Sequence, residues 1–334
     1  MRNFSVKKTP VLSKLLAITL MTLVAPLALS APASSRAQDK KSKSEQSSRQ
    51  PQQPDDEPLR LHSDLVVVNV TVTDDAGKYA HGLTAKDFAI LEDGAPQALS
   101  SFASEEAPFA AAVLIDMSGS MEYKFGLVRA AAASFVDHIR DDDQVAVYGF
   151  NNKIRQFQEF TNVRDISEYV WDAKPGESTR MYDCMDEALA ALEKREERRR
   201  TMLLISDGCD TMSGKASLNS VMKRALAAGV MIYSIDLIDD SALSAGSESA
   251  ALRRGRAEMQ QFATESGGRY VHSPQGDKLE EAFTKIVDEL RNQYTLSYYS
   301  TNKKRDGRWR KIAVSMNRPK LDGRARKGYW APKS

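Results

Sequence analysis

The sequence predicts an α/β fold: a doubly wound, mainly parallel sheet with helices on both faces, plus a small β module assembled from the N- and C-terminal segments. Three observations predict it. Short apolar runs recur through the middle of the chain, each fit for a buried strand and most followed by apolar residues at helical spacing. The terminal stretches alternate apolar and polar residues between turn dipeptides, the pattern of half-buried strands. The roughly 275 residues after the polar leader can bury a substantial core, and 42% hydrophobic residues with a net charge of only +2 fit a globular class with no global reason to bind nucleic acid.

The elements follow in chain order. Arg2, Lys7, Lys8 and Lys14 precede an apolar stretch from Leu15 to Leu29, and small residues follow at Ser30, Ala31 and Ala33. Its fifteen residues, broken by Pro26, are short of the roughly 20 that a membrane span needs. Residues 1–37 therefore read as a secretory signal peptide, with a retained N-terminal anchor as the alternative. No Cys follows the apolar stretch, which excludes a bacterial lipoprotein anchor. Residues 38–60 are Gln, Ser, Lys, Asp and Pro with little apolar surface to bury, and predict a disordered linker. It is either a spacer from an envelope or a solvated leader without a role.

Residues 61–105 form an N-terminal β segment. Val66 to Thr73 is a β-branched run, Asp74-Asp75-Ala76-Gly77 a turn, and Gly82 to Phe88 a short helical turn opened by Thr84. Phe88 to Glu92 is a second strand, and Asp93-Gly94 closes a hairpin. Residues 106–293 carry the βα alternation. Strands are expected at Ala110–Ile115, Gln144–Phe150, Met202–Ile205, Val230–Ile238 and Arg269–His272, with Ile154–Phe160 as an antiparallel edge. Helices are expected near Lys124–Ile139, Val163–Ala173, Met181–Arg195, Ser217–Ala228, Glu248–Ser266 and Lys278–Arg291. In residues 294–334, Gln293–Ser300 and Trp309–Met316 alternate like the arms of a hairpin, and Arg324–Trp330 reads as a third strand. Such a hairpin cannot bury a face alone, so the segment is expected to pair with residues 61–105.

Three short segments far apart in the chain carry hard oxygen donors: Asp116, Ser118 and Ser120 in Asp-Met-Ser-Gly-Ser, Thr179 in Gly-Glu-Ser-Thr, and Asp207 in Ser-Asp-Gly. Both Asp segments follow runs that read as parallel strands, whose carboxyl-end loops converge at one edge of such a sheet. Two carboxylates and three hydroxyls suit Mg²⁺, Mn²⁺ or Ca²⁺ and suit softer ions poorly. Limited negative charge leaves a coordination position for an acidic group from outside. The plainer reading of Asp116 and Ser118 is that they cap the helix that follows.

This order, Asp-x-Ser-x-Ser, then a Thr about one strand and one helix later, then Asp-Gly after the next long strand, resembles the metal-ion-dependent adhesion site of the von Willebrand factor type A domain. The resemblance implies that Ser118, Ser120 and Thr179 bind the metal directly or exchange with water, and that Asp116 and Asp207 often act through water. It implies as well that altered coordination can couple to movement of the final helix, near Lys278–Arg291. Residues 61–105 also resemble the N-terminal portion of bacterial secreted proteins related to this domain, a less specific match.

The two cysteines, Cys184 and Cys209, flank the ligand loops. In a secreted chain an even pair suggests a disulfide, which here would pin two ligand loops together. The alternative is two free thiols. Two Cys without spaced His partners fall short of a zinc shell, and the four histidines show no ligand spacing. Lys303, Lys304, Arg305, Arg308, Arg310 and Lys311 would touch anionic envelope polymer or phospholipid head groups; the plainer reading is outward charges on a β edge and its turn, which also discourage aggregation.

The enzymatic readings fit less well. A phosphatase of the haloacid dehalogenase type wants a second Asp where this chain has Ser118, and neither Ser118 nor Ser120 stands in the Gly-x-Ser-x-Gly frame of a nucleophile elbow. Asp116 to Ser120 also lacks the glycine spacing of a dinucleotide turn. The expectation is a non-enzymatic, extracytoplasmic protein-binding module whose cation coordinates an Asp or Glu of a protein partner, with Met117, Met121, Tyr123 and Arg180 as further contact candidates by location that read equally as ordinary surface or core. The alternative is an assembly factor of the cell envelope in which the metal only stabilises the loops. A metal-dependent phosphohydrolase is a third reading.

Overall fold

In the computed structural model, residues 65–104, 107–164, 175–238, 248–272 and 277–333 are described. The expected signal peptide and linker, and the expected helix over Val163–Ala173 from residue 165 onward, lie outside the described residues. The centre is a six-stranded sheet. Its strands are β5 (Phe109–Asp116), β6 (Gln144–Phe150), β7 (Ile154–Thr161), β8 (Arg199–Ser206), β9 (Val230–Asp236) and β10 (Tyr270–His272). They lie in the order β10-β9-β8-β5-β6-β7, all parallel except β7, which closes the edge antiparallel to β6.

Each central strand is apolar on both faces because helices cover both. On one face α1 (Phe125–Asp137) and α5 (Asp277–Arg291) pack against Phe109, Ala111, Val113 and Ile115 of β5. Leu279, Phe283, Ile286 and Leu290 form the buried stripe of α5, and Phe283 meets Phe135 of α1 edge-on, ring centroids 6.2 Å apart. On the other face, Ala110, Ala112 and Leu114 pack against α2 (Met181–Leu192), α3 (Leu218–Ala228) and α4 (Glu248–Ser266). Each such Leu, Ile or Phe contributes about 1.5–3 kcal/mol by leaving water. Beyond β5 the connection runs to β6 on one side, while β8 continues to β9 on the other. The crevice between β5 and β8 is therefore the switch point of the sheet, where strand order reverses.

The terminal segments form two four-stranded antiparallel sheets packed face to face. One contains β1 (Leu65–Asp74), β4 (Leu99–Ala103), β11 (Gln293–Tyr299) and β13 (Leu321–Arg324); the other contains β2 (Phe88–Glu92), β3 (Ala95–Gln97), β12 (Trp309–Met316) and β14 (Gly328–Trp330). Both draw strands from both ends of the chain, β1 pairing with β11 and β2 with β12. Asp93 and Gly94 join β2 to β3 with φ of 48° and 84°. Two consecutive positive φ values are what a two-residue hairpin turn of matching twist requires, and Asp-Gly supplies them.

Two expectations are corrected here. Gln293–Ser300 and Trp309–Met316 do form strands, but not a hairpin: β11 has β1 on one edge and β4 on the other, so its backbone groups are already paired. Both faces of β11 are also buried. Tyr294, Leu296 and Tyr298 fill the sandwich, while Gln293, Thr295 and Ser297 face the α/β layer, where Arg199 of β8 donates to Thr295 Oγ1 (3.2 Å). The expected third strand over Arg324–Trp330 is instead β13 and β14, one in each sheet. Arg326 sits between them, buried, and donates to Val67 O (2.7 Å).

A second buried junction ties α5 to the sandwich. Glu289, fully buried, accepts from Tyr233 of β9 (2.6 Å), from Arg269 Nε and Nη2 (2.8 and 2.6 Å), from Arg324 of β13 and from Thr71 of β1 (3.4 Å). Burial alone would raise its carboxyl, but the Arg324 and Arg269 guanidiniums and the Tyr233 hydroxyl outweigh it and hold Glu289 below its ordinary value.

Candidate metal centre

The chain's oxygen donors converge at the switch point because three loops leave the sheet there. Ile115 of β5 pairs with Ile205 of β8, so the next residues, Asp116 and Ser206, emerge side by side. Ser206 Oγ donates to Asp116 Oδ2 (2.5 Å), and the Ser118 N–H donates to Asp116 Oδ1 (2.9 Å). Past Asp116 the chain turns into a 3-10 helix over Gly119–Lys124 that carries Ser120. Ser118 Oγ and Ser120 Oγ lie 3.0 Å apart, and Ser120 Oγ donates to Asp207 Oδ2 (2.5 Å).

Thr179 arrives from the segment before α2. The Gly119 N–H donates to Gly176 O (2.8 Å) and the Gly176 N–H to Met117 O (3.0 Å), so this segment pairs with the first ligand loop like a short parallel strand. The loop after β8 clamps Thr179 from the other side. Thr211 Oγ1 accepts from the Thr179 N–H (2.9 Å), while Thr179 O accepts from the N–H groups of Thr211 and Met212 (3.0 and 2.9 Å). Asp183 of α2 holds that loop in turn, accepting from the N–H groups of Gly214, Lys215 and Ala216 (3.2, 3.0 and 2.8 Å).

Two glycines let α4 press on the same loop. Gly208, at φ 76°, faces Gly255 of α4, and a Cβ on either would stand 2.6 Å from backbone of the other. No side chain fits there, and only Gly takes that φ without cost.

Ser118, Ser120, Thr179 and Asp207 line one cleft of about 580 Å³, with Asp116 fully buried beneath them. Ser118, Thr179 and Asp207 form a nearly buried floor, and Ser120 is exposed. Asp116 is pushed up to about 7, first by burial and then by the charge of Asp207, against the hydrogen bonds of Ser206 and Ser118. Two acids in one poorly solvating site repel, and a divalent ion held there would reverse that shift. Among the described residues no cluster of three or more His, Cys, Asp or Glu side chains stands where it can hold a metal. The hydroxyls must therefore complete any coordination here, and such a donor set suits a hard ion.

The structure sorts the remaining candidates. Met117 and Met121 are core residues, 3% and 0% exposed, as the core reading of the two has it; they belong to the same buried cluster as Phe125 and Val128. Tyr123 is 99% exposed. Arg180 pairs with Asp183 (3.0 Å). Cys184 and Cys209 are free thiols, the second of the two readings. Cys184 is buried in the core among Met185, Ala188 and Leu189, whereas Cys209 lines the cleft and donates its N–H to Asp207 Oδ1 (3.1 Å), so the two face different surroundings. Sequence reasoning passed over Ser206, Thr211, Asp183 and Gly255. The first two neighbour ligand positions, and a small polar residue just before Asp207 was the available signal.

A doubly wound sheet with side-chain oxygens gathered at its switch point places the chain among α/β domains that bind their ligands at the carboxyl ends of the strands. A family model of the von Willebrand factor type A domain matches residues 112–285, more than half of the chain, and the chain belongs to that family. No curated protein matches it. Among solved structures it is similar to proximal thread matrix protein 1 from the mussel byssus with a zinc-occupied MIDAS motif: 18% identity, TM-score 0.45, 58% of this chain and 48% of that one covered. It is similar also to von Willebrand factor type A from Catenulispora acidiphila: 14% identity, TM-score 0.47, 73% and 62% covered. A third is the pilus adhesin SpaC from Lactobacillus rhamnosus GG in an open conformation: 11% identity, TM-score 0.45, 79% and 48% covered. The chain spans about half the length of the mussel and pilus proteins.

Proposed function

We propose that the chain is a non-enzymatic, extracytoplasmic protein-binding module in which Asp116, Ser118, Ser120, Thr179 and Asp207 hold a divalent cation, and the cation takes an Asp or Glu side chain of a protein partner. Mg²⁺ is the proposed ion, with Mn²⁺ and Ca²⁺ as substitutes of the same hardness. When bound, it supplies a Lewis-acidic point of attachment for the partner's carboxylate. The chain's own residues do the rest. Ser206 and the Ser118 N–H orient Asp116, Thr211 fixes the backbone of Thr179, and the Gly208–Gly255 contact seats the loop of Asp207.

One observation carries the reading: Ser118, Ser120, Thr179 and Asp207 from three loops line one cleft, with Ser120 Oγ 3.0 Å from Ser118 Oγ and 2.5 Å from Asp207 Oδ2. An extracytoplasmic setting is supported by the basic residues and apolar stretch of the first 37 residues. Among the described residues no helix is long and apolar enough to cross a membrane.

Calorimetric titration of the metal-free chain with Mn²⁺ tests the reading. One ion should bind per chain, and Asp116→Asn should weaken it by about 100-fold or more. Capture of an envelope protein that is lost on adding EDTA and lost in Asp116→Asn is the expected functional outcome. Binding that survives both would exclude the metal bridge.

A further inference from the structure

We propose that one end of the β sandwich is a docking surface for an anionic phospholipid bilayer. The end is formed where β1 begins, where β2 gives way to β3, and where the chain crosses from β11 in one sheet to β12 in the other. That crossing carries Lys303, Lys304, Arg305 and Arg308, all exposed, and Lys311 and Lys333 stand exposed beside it. The acids of this end are turned to the protein. Buried Arg310 donates to Asp306 Oδ1 (3.0 Å) and lies 3.9 Å from Asp93 Oδ2, Arg308 also lies 3.9 Å from Asp306, and buried Glu92 accepts from the hydroxyls of Tyr298, Ser300 and Tyr329. What faces outward is therefore positive.

The crossing is held in shape. The Gly307 N–H donates to Pro332 O (3.3 Å) and the Ala331 N–H to Arg308 O (2.8 Å), while the Gln97 side chain bonds both the N–H and the hydroxyl of Thr301 (3.0 Å each). Cations on a fixed loop give up less freedom on binding than cations on a loose one. Charge alone would fit any polyanion, and two apolar side chains select the bilayer. Leu65 and Tyr299 stand opposite one another at the end of the β1–β11 ladder, 37% and 50% exposed, and Tyr299 leads directly into the basic crossing. Their neighbours Val66 and Tyr298 fill the sandwich, so strand alternation turns Leu65 and Tyr299 outward. A tyrosine and an aliphatic residue among Lys and Arg is the composition of a membrane–water interface. No residue of this end lines the cation cleft, so the two surfaces can act together.

Co-sedimentation of residues 38–334 with lipid vesicles tests the proposal; this span omits the apolar leader and keeps the whole compact unit from Arg60 to Ser334. EDTA throughout removes any cation bridge, so the outcome is independent of the metal site. Vesicles of equimolar phosphatidylcholine and phosphatidylglycerol should bind the chain, vesicles of phosphatidylcholine alone should not, and about 1 M salt should release it. Lys304→Gln, Arg308→Gln and Lys311→Gln combined should weaken binding about 100-fold, at about fivefold per charge. Leu65→Ser with Tyr299→Ser should weaken it about tenfold, and thermal melts of both variants should match the wild type. Absence of binding to the anionic vesicles, or binding that salt and the triple substitution leave intact, overturns the proposal. Loss in the triple substitution without any change in the Leu65→Ser, Tyr299→Ser variant identifies an anionic polymer as the occupant and overturns it as well.

Discussion

Asp116 and Glu289 are both fully buried carboxylates in one α/β unit, yet they are driven in opposite directions. Glu289, at the junction of α5 with the sandwich, has two guanidiniums and the Tyr233 and Thr71 hydroxyls around it, and is held ionised. Asp116, at the end of β5, has hydroxyls, a backbone N–H and a second acid, and is pushed up to about 7. The fold thus supplies cations where a carboxylate is structural, and withholds them at the switch point. A buried acid without a cation is costly in a low-dielectric site, which makes the place of Asp116 one that a metal ion from solution would stabilise.

Breaking the satisfied member should have the largest effect. Glu289→Gln leaves Arg269 and Arg324 facing a neutral amide, and should cost about 3 kcal/mol in urea unfolding, below the full cost of a broken buried pair because both arginines are partly exposed. A cost under about 1 kcal/mol would mean that the junction is held by apolar packing instead.

The pH dependence of the metal-free chain separates the two acids next. The folded chain binds the Asp116 proton more tightly than the unfolded chain does, with a value near 7 against an ordinary 3.8. Its contribution is therefore full below the ordinary value and is lost as pH rises toward 7, at up to about 1.4 kcal/mol per pH unit. Glu289, held below its ordinary 4.5, contributes above that value and loses its contribution as pH falls further. Thermal melts should thus show a decline as pH rises from about 4 to 7 that saturating Mg²⁺ removes, and a separate decline as pH falls below 4.5 that Mg²⁺ leaves in place and Glu289→Gln flattens. A Mg²⁺-independent decline between pH 4 and 7 would break the comparison.

The smallest effect is expected at Ser206→Ala. Removing one donor from Asp116 should change unfolding stability by about 1 kcal/mol, and should lower Mn²⁺ affinity by about tenfold, as loss of an orienting partner does. Unchanged Mn²⁺ affinity would show that Ser206 serves the sheet rather than the site.

Much of the fold was legible because its signals are local. Ala110–Ile115 and Met202–Ile205 each read as a buried strand from a few consecutive residues, helices α1 and α5 from apolar spacing, and the Asp93-Gly94 turn from two residues that tolerate positive φ. The oxygen donors were legible for a related reason. Asp116, Ser118 and Ser120 sit within five residues, Thr179 and Asp207 lie at loop positions that strand order brings together, and the structure places four of the five on one cleft with Asp116 beneath it. The ion itself was read from donor chemistry and remains part of the proposal.

What the sequence by itself determined is which segments become strands and helices, and which oxygen-bearing loops leave the same end of the sheet, because periodicity and short-range turn chemistry act over a few residues. Only the tertiary structure decided that β11 and β12 part into different sheets, that Cys184 turns into the core, and that Glu289 of α5 meets Arg324 of β13 and Arg269 just before β10. Those outcomes depend on which edges and faces are still open when distant segments meet. An alternating pattern states that a strand has a buried side, not which neighbour buries it.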